Sequence, residues 1–218
     1  MEAKRKSIWR QVLALCGIIG VAFYTLHVVL GGILWKAYNP ITQTISELTG
    51  NTSPNAGLLT VFTTIYGALL IVFSASVFVN FKALRVKKLA MIGAVLFIAM
   101  ELTSFFGYMA FPLDMGGALN NFQNTMHLVV SGVVVICTLG ASYLIGIGLW
   151  KTPGHKKMGV FIFVCAIVIT VFGGMTPALM ANNVPFAGLT ERINIFTLHA
   201  WTVVLSVYLF RGKTWAKG

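Results

Sequence analysis

The side chains that could do chemistry are few and unevenly placed. The 218-residue chain has four histidines, five acids and three cysteines. His27, Glu101, His127 and His199 interrupt long apolar stretches, whereas Glu47, Asp114, Glu191 and Arg192 fall in the polar segments between them. Ionisable groups inside apolar segments are costly unless they face a protein interior or a wet cavity, so each is a candidate for function. His27, His127, His199 and Asp114 together would suit zinc with one position left open for water. A water activated there would serve a hydrolase, with His127, Asp114, His199 and Glu101 as candidate catalytic groups and Glu101 as the general base. Against zinc, the donors come from separate stretches, and no HExxH or HxxxH spacing joins any two of them. Ser131 and His199 could pair as a dyad, but Val129 stands where a Gly-x-Ser-Gly motif needs its first glycine. No two stretches repeat the paired-histidine pattern of b-type membrane cytochromes, which argues against haem. Cys16, Cys137 and Cys165 are scattered through apolar sequence and read as small hydrophobes rather than a disulfide or metal framework.

The elements that must position these groups are membrane spans. Hydrophobic residues make up 57% of the chain and charged ones 10%, against about 25% charged in a soluble domain. Six apolar stretches run about 11–34, 58–81, 89–111, 125–150, 158–180 and 194–210. They are long and continuous rather than short and alternating, so they predict helices and not a barrel. The last is the shortest and could begin a few residues earlier. The expected fold is all-α, a single domain over 1–218 forming a bundle of six transmembrane helices.

Charge placement sets the orientation. The net charge of +11 does not mark a nucleic-acid protein, because the lysines and arginines come in short runs between spans rather than on one folded face. Fourteen of the sixteen fall on one side, including Arg10, Lys82, Arg85, Lys151, Lys213 and Lys217; Lys36 and Arg192 are the two on the other. This bias predicts both termini in the cytoplasm. The basic and then apolar N-terminus has no small-residue cleavage site and reads as an uncleaved first span. Trp9, Trp35, Trp150 and Trp215 fall at the expected interfaces, where indoles anchor.

The outer loops hold most of the acids. The first, about 35–57, has turn signals at Asn39-Pro40 and Ser53-Pro54-Asn55, with a short interfacial helix expected near 44–48. The second carries Asp114 and Gly116-Gly117, and the third, 181–193, carries Glu191 and Arg192. At 1.5 Å per residue, His127, His199 and His27 lie roughly 3, 8 and 10 Å below the outer helix ends, and Glu101 roughly 15 Å.

Taken together, these landmarks resemble a prokaryotic membrane-protein family known as domain-of-unknown-function family 998. The resemblance rests on Asn39-Pro40 with Ile45-Ser46-Glu47-Leu48 after span one, and on Phe111-Pro112-Leu113-Asp114 after span three. It continues through His127 opening span four and Gly188-Leu189-x-Glu191-Arg192 leading to Trp201. It implies a six-helix bundle in a prokaryotic plasma membrane and makes Ser46, Glu47, Asp114, His127, Glu191 and Arg192 the better candidates for a binding site. The family name implies no activity.

The expected function is binding of a lipid or amphiphile headgroup in a polar pocket open to the outer leaflet, with membrane lipids as partners. Arg192 would take the anionic part, and Asp114 with His127 would form a hydrogen-bonding or proton-exchanging pair. The alternatives are a membrane-embedded hydrolase, with or without zinc, and a proton-coupled transporter using Glu101 as relay. The lack of an inverted repeat weighs against the transporter.

Overall fold

The computed structural model describes residues 2–116 and 120–212. Lys213, Lys217, Trp215 and Gly117 of the expectations above lie outside the described residues. Among the described residues there are six α-helices: α1 (Glu2–Leu34), α2 (Ala56–Leu84), α3 (Lys88–Ala110), α4 (Phe122–Trp150), α5 (Lys156–Ala181) and α6 (Ala187–Arg211). One short 3-10 helix, Ser46–Thr49, stands where the interfacial turn is expected, and there is no strand. All six α-helices are long and apolar enough to cross a membrane. The chain is a multi-pass membrane protein.

The helices form a closed ring. Each packs on its neighbours in sequence, and α1 closes the ring against α6. Backbone groups in lipid have to be paired within their own segment, which is why continuous apolar sequence resolves into helices here. Small residues set the closest approach: a Cβ on Gly148 of α4 would lie 2.2 Å from the Ala90 amide nitrogen of α3, so only glycine fits. The core runs along the ring's interior through Phe73, Phe97, Ile145, Ile162, Trp201 and Leu205, each fully buried. Val29, Phe106, Leu128, Ile136 and Val164 are at least half exposed, an apolar girdle that suits hydrocarbon and not water.

The helix bounds differ from expectation most at two starts: α1 begins at Glu2 rather than near 11, and α6 begins at Ala187 rather than near 194. The α5–α6 connection is therefore only residues 182–186, and Glu191 and Arg192 sit on the first turns of a helix. Their charge reads as loop sequence, but the α1–α2 loop folds over this turn and supplies the partners that solvent would otherwise supply. The change also moves His199. Twelve residues into α6, it lies roughly 18 Å from the helix start, deeper than the shorter span implies. His127, five residues into α4, lies roughly 7.5 Å from its helix start.

Candidate functional site: a clamped lid over a buried polar cluster

The α1–α2 loop is a lid, fastened on two sides. On one side it seats on the start of α6. Gly188 is there because a Cβ at that position would lie 2.2 Å from the Gln43 carbonyl oxygen and 2.8 Å from that of Pro40. The Leu189 amide donates to the Ile41 carbonyl at 3.0 Å. The Glu191 carboxylate accepts from the Ile45 amide and, at 3.3 Å, from the Ser46 hydroxyl. Arg192 donates to the carbonyls of Gln43 (2.9 Å) and Gly188 (3.0 Å) and to the Tyr38 hydroxyl. Its guanidinium also lies 5.4 Å from the centre of the Tyr38 ring. Tyr38 passes the chain on by donating to the Thr44 carbonyl at 2.7 Å. Burial holds the Tyr38 hydroxyl above the usual tyrosine pKa, with Arg192 beside it working in the opposite direction.

Glu47 works inside the lid. Its carboxylate accepts from the Thr44 amide (2.8 Å), the Thr44 hydroxyl (3.2 Å) and the Gln43 side-chain amide (2.9 Å). Below it Leu48, fully buried, plugs the space against Gly31 of α1 and packs with Leu59 of α2.

On its other side the lid is stitched to the α3–α4 connection. The Asn51 amide donates to the Leu113 carbonyl at 3.1 Å, and the Met115 amide donates to the Asn51 side chain at 2.9 Å. The Asp114 carboxylate accepts from the side chains of Asn51 and Asn121. Asn124, 4% exposed, accepts from the Asp114 amide and donates to its carbonyl. His127 turns Nδ1 to the Phe111 carbonyl at 2.8 Å, and its ring lies against Tyr108. Ser131 donates to the His127 carbonyl and accepts from Tyr108, so the serine works within this joint while His199 bonds elsewhere.

A second group of polar side chains lies within the bundle. His199, 3% exposed, shares a hydrogen bond of 3.1 Å with the Tyr66 hydroxyl through Nε2. The Tyr24 ring stands edge-on to both His199 and His27, with centroids 4.5 and 5.2 Å away, and meets Tyr66 at 4.8 Å. Trp201 packs on Phe97 of α3 at 5.1 Å. Glu101, 2% exposed, is one helical turn beyond Phe97 on the same face of α3. Phe105, a turn further, packs onto Gly67, next to Tyr66. Glu101 thus sits at the level between the Trp201 and Tyr66 contacts.

This cluster is underpaired. Nδ1 of His199 and Nε1 of Trp201 are sealed from solvent without a hydrogen-bond partner, and the ring nitrogens of His27 are sealed with no partner beyond the Tyr24 backbone one turn back. Each unpaired group costs about 1–3 kcal/mol. The Phe196 ring lies 6.2 Å from His199 and is 37% exposed, so one aromatic ring separates the cluster from the lipid face.

The expected site residues therefore fall into three places. Ser46, Glu47, Glu191 and Arg192 come together as the lid clamp; Asp114 and His127 belong to the α3–α4 joint; His27, His199 and Glu101 lie in the buried cluster. Arg192, expected to take the anionic part of a ligand, holds backbone carbonyls and Tyr38 here. Among the described residues no three histidine, cysteine, aspartate or glutamate side chains are grouped to hold a metal ion. Tyr24, Tyr38 and Tyr66 were not among the residues singled out from sequence. The available signal was spacing: Tyr24 lies one turn from His27, and Tyr38 directly precedes Asn39-Pro40.

Residues 18–208 match the family described as Protein of unknown function (DUF998). The chain belongs to this family. The stretches that carried the resemblance, around Asn39-Pro40, Ser46-Glu47, Phe111–Asp114 and Gly188–Arg192, are the lid and its two fastenings. No curated protein and no solved structure matches the chain.

Proposed function

We propose that this member of the family binds a membrane amphiphile, with its polar headgroup received by the buried cluster under the lid. The observation that carries the reading is the group of sealed, underpaired nitrogens on His27, His199 and Trp201, set beside Tyr24, Tyr66 and Glu101. Buried donors and acceptors in a protein interior are nearly always paired. A headgroup bearing hydroxyl or other hydrogen-bonding groups would pair them, and the aromatic walls would take its apolar part.

Entry would be lateral, past Phe196 from the bilayer, by parting Tyr24 from His199. The charged lid residues hold the roof and do not themselves need to touch the ligand. Arg192 in particular turns three of its five N–H donors on the lid and on its own helix, so its role in this reading is to position the lid. The fourteen-to-two distribution of basic residues supports placing the termini in the cytoplasm and the lid on the outer side of a plasma membrane.

The test is the lipid content of protein purified in mild detergent. Wild type should carry one amphiphile class enriched over the bulk membrane, and His199→Phe together with Glu101→Gln should lose that enrichment while keeping the helical fold. Equal enrichment in both proteins would refute the assignment.

A second reading is a proton relay through Glu101, Tyr66 and His199, favoured by the Tyr66–His199 hydrogen bond. It requires proton flux in proteoliposomes that Tyr66→Phe abolishes. Hydrolysis draws less support: Ser131 is engaged with Tyr108 and the His127 carbonyl, and His127 is held by Phe111, away from the pairing of His199 with Tyr66.

A further inference from the structure

A groove of about 300 Å³ runs between α1 and α2 on the outside of the bundle, far from the lid. Its walls are Leu13 of α1 and Ile71, Val72, Ala75 and Val79 of α2, with Arg10 at the end nearest the basic turns. From Ile71 to Val79 it is roughly 12 Å long, and Val72 and Val79 are 39% and 46% exposed to the surroundings. The small side chain of Ala75 leaves the floor low where a larger residue would fill it.

Arg10 is fixed at the mouth. Its carbonyl oxygen accepts from the Ser76 hydroxyl and the Asn80 side-chain amide, each at 3.2 Å, so α2 holds this turn of α1 in place. Its guanidinium Nε is buried and has no hydrogen-bond partner. Guanidinium groups engage phosphate through two parallel N–H donors, and a free Nε is half of that fork. Among the described side chains, the carboxylates that could take its place are remote: Glu47, Asp114 and Glu191 are at the lid end and Glu101 is in mid-bundle. Lys82, Arg85, Lys87 and Lys88 at the nearby α2–α3 turn add positive potential, which attracts acidic lipid headgroups.

We propose that this groove holds one acyl chain of an anionic phospholipid, with the lipid phosphate on Arg10. The occupant is a lipid rather than a soluble phosphate because the groove is apolar, opens along the bundle's outer surface and continues from the cation at its mouth. The site stands apart from the buried cluster, and its loss leaves the amphiphile reading intact.

The test is native mass spectrometry of the full chain titrated with phosphatidylglycerol or phosphatidylcholine of equal chain length. Wild type should bind one phosphatidylglycerol at least tenfold more tightly than phosphatidylcholine. Arg10→Gln should bring the two within twofold of each other. Ala75→Leu, which fills the groove and keeps Arg10, should weaken phosphatidylglycerol at least fivefold, with the thermal midpoint of each variant checking its fold. Glycerol phosphate, which has the headgroup anion and no tail, should fail to displace the lipid. Equal affinity for the two lipids in wild type, unchanged selectivity in Arg10→Gln, unchanged binding in Ala75→Leu, or displacement by glycerol phosphate would each overturn the proposal.

Discussion

A single methyl group at position 188 should detach the lid from α6. In Gly188→Ala the new Cβ would lie 2.2 Å from the Gln43 carbonyl oxygen, whereas carbon and oxygen settle no closer than about 3.3 Å. The obstacle is backbone, so no side chain can turn aside, and the loop has to retreat by about 1 Å. That retreat stretches the Leu189–Ile41 hydrogen bond from 3.0 Å to about 4 Å, beyond bonding range. The Arg192–Gln43 and Glu191–Ile45 bonds lie on the same segment and are strained with it. Losing two or three such bonds at about 1 kcal/mol each is roughly 2–3 kcal/mol, or about a 30- to 150-fold rise in lid opening. Hydrogen exchange in lipid nanodiscs reads this directly, as faster exchange at residues 39–48 and at the Leu189 amide that donates to Ile41. Gly174→Ala is the control, because nothing lies within 4 Å of its added Cβ. Exchange over 39–48 that is the same in wild type and Gly188→Ala would refute the account of how the lid is held.

Other consequences can be checked in the same preparations. Tyr38→Phe leaves Arg192 short of one acceptor and the Thr44 carbonyl without its donor; it should lower stability by about 1–2 kcal/mol, read as a lower thermal midpoint. Asn51→Ala should speed exchange at residues 111–116 and leave the α6 side of the lid unchanged, since Asn51 joins the lid only to the Leu113–Met115 segment. His155, hydrogen-bonded to Tyr208 before the start of α5, has its pKa lowered below the ordinary 6.5 by burial. The unfolded chain therefore takes up this proton first, and stability that is complete above about 6.5 is lost as pH falls toward the lowered value. The thermal midpoint should drop between pH 7 and pH 5, with a shallower slope in His155→Gln; equal slopes would remove His155 from the explanation.

The helices were legible in the sequence because lipid leaves the backbone no alternative, and long apolar runs such as those of α2 and α5 mark their own ends closely. The start of α6 was not. Glu191 and Arg192 carry the polarity of a loop, and their burial under residues 38–46 is a contact about 150 positions distant in sequence. The same distance hid the roles of the conspicuous charges. Spacing can say that Arg192 and Glu47 share a face, but not that each is held by nearby carbonyls, amides and hydroxyls. Depth along the helices brought His27 and His199 to the same half of the bundle, yet it could not separate them from His127, which is set apart by the Phe111 carbonyl it caps. Tyr24 and Tyr66 carry no charge and so drew no attention, although they form the wall of the cluster.

The account centres on the underpaired nitrogens beneath the lid. The most direct measurement is a cryo-EM density map of the protein extracted with its native membrane into nanodiscs. The account expects non-protein density within hydrogen-bonding distance of His27, His199 or Trp201, with Tyr24 moved away from His199 and density continuing past Phe196 toward the bilayer. A map in which Tyr24 still closes on His199, and the cluster holds protein atoms alone, would contradict it.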